Sequence, residues 1–96
     1  MAEEKKEIRV EFQKELIGGV YANSLSIQHT AEEFILDFFL IAPPTGVVTA
    51  RIITSPGHMK RIIGAMQENI RKYEEKFGEI KPSKEPKPHS QIGFKP

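Results

Sequence analysis

The alternation of apolar and polar positions predicts a series of strands followed by one helix. Residues 7–13, EIRVEFQ, put Ile8, Val10 and Phe12 on one face and polar side chains on the other, as in a half-buried strand. Gly18-Gly19 punctuates the chain before VYANSLSIQ, where Leu25 and Ile27 share one face and Ser24 and Ser26 the other. EFILDFFLIA is the most apolar run. Pro43-Pro44-Thr45-Gly46 then turns the chain into VVTARIIT, a fourth strand rich in β-branched residues. Over residues 55–77 the period changes: Met59, Ile62, Ile63, Met66, Ile70, Tyr73 and Phe77 recur at steps of three or four, forming one helical stripe. Ser55 is a candidate N-cap, Pro56 fits the first helical position, and Gly78 is the expected stop.

The expected fold is an α+β domain over residues 1–81: a four-stranded antiparallel meander followed by one long C-terminal helix packed on one face. Residues 82–96 read as a flexible Pro/Lys-rich tail, too poor in large apolar residues to offset its ordering entropy. Ile92 and Phe94 are its two candidate anchors.

Because a slip of one residue inverts every side chain, matching faces predicts a register. Ile27 is set opposite Phe34, Leu25 opposite Leu36, and then Leu36 opposite Ile52, Phe38 opposite Ala50 and Leu40 opposite Val48. Asp37 then meets Arg51 on the other face, flanked by Ile35, Phe39, Ile41, Val47 and Ile53.

One helix stripe covers one sheet face, so this register leaves a second apolar face over. Apolar patches beyond a few hundred Å² usually mark interfaces. Ile35, Asp37, Phe39, Ile41, Arg51 and Ile53 are therefore the candidate self-association face, with a two-fold dimer favoured on symmetry grounds. Two other readings stay open: the first strand or the tail folds over that face, and Asp37–Arg51 is an ordinary cross-strand surface pair.

Composition narrows the function classes. The 96 residues carry a formal charge of +1, unlike a dedicated polyanion binder, and no cysteine, which removes disulfides, thiolate nucleophiles and Cys-ligated metals. No apolar run approaches the roughly 18 residues of a membrane span, and MAEEKKEIRVEF does not read as a secretory signal. The basic excess is C-terminal: residues 58–78 hold five basic and three acidic side chains.

Catalytic motifs are not apparent. His29, His58 and His89 lack metal-ligand spacing, no serine sits in a GxSxG elbow, and Gly18-Gly19 has no phosphate-loop sequel. Glu32-Glu33 reads as a solvated hairpin turn. The most suggestive local cluster is SPGHMKR, where Ser55, His58, Lys60 and Arg61 surround the free amides of a helix start and form a candidate anion site. The competing reading is a plain Ser-Pro helix start with surface bases. Lys60, Arg61, Arg71, Lys72 and Lys76 also form a basic stripe, diluted by Glu68, Glu74 and Glu75, that admits a nucleic-acid partner as a lesser alternative.

Tyr21-Ala22-Asn23, Glu33-Phe34 leading to Leu36-Asp37-Phe38, Arg51, Ser55-Pro56, His58 with Lys60-Arg61, Asn69, Tyr73-Glu74 and Phe77-Gly78 together resemble a small prokaryotic family of uncharacterised proteins, domain of unknown function three-four-six-seven. The resemblance covers about residues 20–80. It implies a bacterial or archaeal cytoplasmic protein and no established activity. The order of four strands and a helix also resembles the export chaperone SecB, in topology alone.

The function expected is non-enzymatic: an oligomeric binding or scaffold module using an apolar sheet face, without cofactor or metal. Its partners are expected to be a second copy, and an unidentified polypeptide, with no membrane.

Overall fold

In the computed structural model, residues 7–84 are described. The expected tail beyond Lys84, with Ile92, Phe94 and His89, lies outside the described residues. Three of the four apolar runs form strands, β1 (Ser24–His29), β2 (Phe34–Ala42) and β3 (Thr45–Thr54), in one antiparallel sheet of order β1-β2-β3. One helix, α1 (Pro56–Phe77), follows. The architecture is α+β as expected, with three strands rather than four.

EIRVEFQ is the missing strand. Ile8, Val10 and Phe12 are at least 74% exposed, and beyond them Lys14–Leu16 form a single 3-10 turn. Alternation specifies which face a strand would bury. It does not supply the neighbouring edge that must take its N–H and C=O groups. Without that strand, the four-strand order behind the SecB likeness is not formed.

The β1–β2 ladder pairs Leu25 with Phe38 and Ile27 with Leu36, two residues from the expected register. A shift of two keeps every face assignment. Its cause is the tight loop: Thr30 Oγ1 accepts the N–H groups of Glu32 and Glu33, and Thr30 N–H donates to Glu33 O. The strands therefore continue to His29↔Phe34, whose rings lie 5.5 Å apart.

In the β2–β3 ladder, Leu36↔Ile52, Asp37↔Arg51 and Phe38↔Ala50 stand as expected. The strands then slip between Phe38 and Phe39, so that Phe39 meets Val48 and Leu40 meets Val47. Pro43 and Pro44, joined by a cis peptide bond, link Ala42 to Thr45, which pair with each other. That short turn sets a register one residue out of step with the Asp37–Arg51 half. Thr49 takes up the difference as a bulge, its hydroxyl donating to Phe38 O at 3.2 Å. The bulge exchanges the expected sides of Val47 and Val48.

The helix departs most from expectation. It begins with Ser55 as its cap, the Oγ accepting the His58 N–H at 3.2 Å, and ends at Gly78, whose φ is 96°. It is not laid on the sheet. Met59 alone in the helix is buried, while Ile63, Met66, Ile70, Tyr73 and Phe77 are between 43% and 65% exposed. The Cα radius of gyration is 17.5 Å, against roughly 12 Å for a compact chain of this length. A single residue, Ser55, separates Thr54 from Pro56. Connections that return a helix over its own strand take about two to six residues. Beyond Met59 in its first turn, the helix therefore leaves its apolar stripe uncovered.

Candidate functional site

β2 is the central strand, and its far side carries the most buried group among the described residues. Asp37 is 1% exposed, and Arg51 holds it through Nε to Oδ1 at 2.6 Å and Nη2 to Oδ2 at 2.9 Å. These hydrogen bonds hold the Asp37 carboxyl below the usual carboxylate range. Burial opposes them, and the guanidinium charge adds to the lowering. Asp37 in turn raises Arg51 above its ordinary value, again chiefly through the hydrogen bond. The pair is bidentate and one-sided: the Arg51 side chain is 56% exposed while that of Asp37 is 2%.

The rest of the candidate self-association face is less bare than the sequence implies. Phe39 and Ile41 are 3% and 8% exposed, and Ile35 is half-buried. All three are on the central strand, flanked by β1 and β3. Ile53, on the edge strand β3, is 53% exposed. On this side a partner is offered an edge, Val48 and Ile53 with Arg51, rather than a continuous apolar face.

The opposite face is more open. Leu25, Ile27, Leu40, Val47 and Ile52 share it, each an exposed large apolar side chain. This is the face the helix was expected to cover. The protein thus presents two bare apolar surfaces, one on the sheet and one along α1, and each lacks what the other provides.

At the helix start the four anion-site residues are drawn partly into local bonds. Ser55 Oγ is engaged by the His58 amide, and Arg61 Nη2 lies 2.9 Å from His58 Nδ1. All four are exposed. On the basic stripe Arg71 is paired with both Glu68 and Glu75, which lowers the charge open to a polyanion. A shallow depression of about 420 Å³ lies beside it, lined by Gln67, Ile70, Arg71, Glu74 and Glu75.

Sequence reasoning missed Asn23. Its side-chain amide donates to Ile41 O at 3.0 Å and accepts from Ile41 N–H at 2.9 Å, while its own backbone N–H donates to Phe39 O at 2.9 Å. The side chain thereby stands in for a strand residue at the entry to β1. Its position in the Tyr21-Ala22-Asn23 motif was the available signal. Among the described residues no group of three or more His, Asp or Glu side chains is arranged to hold a metal ion. No described helix is long and apolar enough to cross a membrane.

No curated protein and no solved structure matches this chain. A family model does, described as Protein of unknown function (DUF3467), and it spans residues 1–82, including the N-terminal arm that the motif resemblance left out. The chain belongs to that family.

Proposed function

We propose that this protein is a non-enzymatic, self-associating binding or scaffold module that works through an apolar sheet face. The cytoplasmic location is the one that the family resemblance implies. The observation that carries the reading is the pair of unmatched surfaces: Leu25, Ile27, Leu40, Val47 and Ile52 on the sheet, and the stripe on α1. Large apolar side chains left in water each forgo up to roughly 1.5–3 kcal/mol of burial. Several together offset the several kcal/mol of translational and rotational freedom that association costs.

Sedimentation velocity on the full chain tests this. A dimer or larger species at micromolar concentration is expected, and a monomer at every concentration reached would overturn the reading.

A further inference from the structure

We infer that two copies of the chain pair by reciprocal docking, with α1 of each lying across the open sheet face of the other about a two-fold axis. The inference rests on the self-association reading and names its geometry.

The argument begins at Ser55. A one-residue joint is shorter than the connections that usually return a helix over its own sheet, and short hinges of this kind favour exchange of an element between copies. The elements match in length. The 22 residues of α1 span about 33 Å at 1.5 Å each, and the ten residues of β3 span about 33 Å at 3.3 Å each. The areas match too. Five side chains on α1 and five on the sheet face are each 37–65% exposed. At about 75 Å² apiece they total about 750 Å² per copy, close to the ~800 Å² that each partner gives to a standard interface. Helix against sheet is self-complementary only when both copies give both surfaces, which is the condition for a closed two-fold dimer.

Charges placed separately on the two surfaces distinguish this geometry from its rivals. One variant carries Met66→Asp with Ile70→Asp on the helix, and another carries Ile27→Asp with Ile52→Asp on the sheet. Each alone should dissociate at least tenfold more readily than wild type, because both of its contacts are damaged. An equimolar mixture should form a mixed dimer, in which one helix-on-sheet contact is intact. A helix variant that dimerises like wild type points to sheet-on-sheet assembly and overturns the inference. A sheet variant that does so points to helix-on-helix assembly, with the same consequence. A mixture that stays monomeric also overturns it, whereas a monomeric wild type removes the self-association reading itself. Far-UV circular dichroism confirms that each variant is folded, and serine at the same positions replaces any aspartate pair that melts it.

Discussion

Across the β2–β3 ladder the Arg51 guanidinium grips both oxygens of Asp37, at 2.6 and 2.9 Å, from a position more than half exposed to solvent. The carboxylate therefore lies in the sheet interior while its counter-charge remains hydrated, which lowers the desolvation cost on one side of the pair. On one side of the bulge this pair pins the ladder's register, while on the other the Pro43-Pro44 turn pins it.

The pair makes stability pH-dependent with a definite sign. The folded carboxyl titrates below its ordinary range, and an unfolded aspartate titrates at about 3.9. The stabilisation is complete above the unfolded value and is lost as pH falls through the folded one. Asp37→Asn should lower the thermal midpoint at pH 7, and the gap to wild type should close in strongly acidic buffer. Arg51→Lys should recover little, since a point charge does not reproduce the two-pronged contact. Thermal melts of the three proteins from neutral to acidic pH check this; a pH-independent gap would contradict it.

Asn23 provides a second test. Replacing it with Leu leaves the N–H and C=O of Ile41 without their side-chain partners, for an expected loss of about 1–3 kcal/mol. Asn23→Asp should not rescue this, because it keeps the acceptor but sets a carboxylate against the Ile41 carbonyl. Urea midpoints report both variants, and an unchanged Asn23→Leu midpoint would refute the role.

Face assignments are legible in the sequence wherever a strand has a neighbour and the ladder is regular. Leu36, Asp37 and Phe38 were matched to Ile52, Arg51 and Ala50 because period-two patterning and opposite charge agreed. Val47 and Val48 were misassigned because a bulge leaves no signature in a β-branched run. EIRVEFQ has the pattern of a strand, but pattern contains nothing about whether an edge is within reach. Periodicity identifies the helix stripe but not its partner, since it says which residues seek burial and the Ser55 joint says where they are able to go. That joint was visible in the sequence, in the lack of any residue besides Ser55 between Thr54 and Pro56. The charge cluster at the helix start was equally legible, whereas its internal pairing of Arg61 with His58 needed side-chain geometry.

The helix ends make separable contributions. Ser55→Ala removes the acceptor for the His58 N–H and should cost about 1 kcal/mol. At Gly78, an added Cβ meets no atom within 4 Å, so the cost of Gly78→Ala comes from the backbone at φ 96°, about 1 kcal/mol. Lying at opposite ends of the 22-residue helix, the two should add in the double variant. Denaturant midpoints of the singles and the double check this, and marked non-additivity would show that the helix ends communicate.

The final prediction separates contacts made within a chain from contacts made between chains. Met59 is 8% exposed, and Met66, two turns further along the same stripe, is 53% exposed. Met59→Ala removes side-chain packing that the chain supplies itself, so it should cost about 2 kcal/mol or more at any protein concentration. Met66→Ala removes little from an isolated chain, where the side chain is already half in water. In an assembled protein, partner binding adds to apparent stability by mass action. The deficit of Met66→Ala relative to wild type should therefore be small in dilute solution and grow as concentration rises, while that of Met59→Ala persists in dilute solution. Thermal melts over a hundredfold range of concentration distinguish the two. A Met66→Ala deficit that is large and constant would mean that the stripe is buried within each chain, and the helix would then have to be placed on its own sheet.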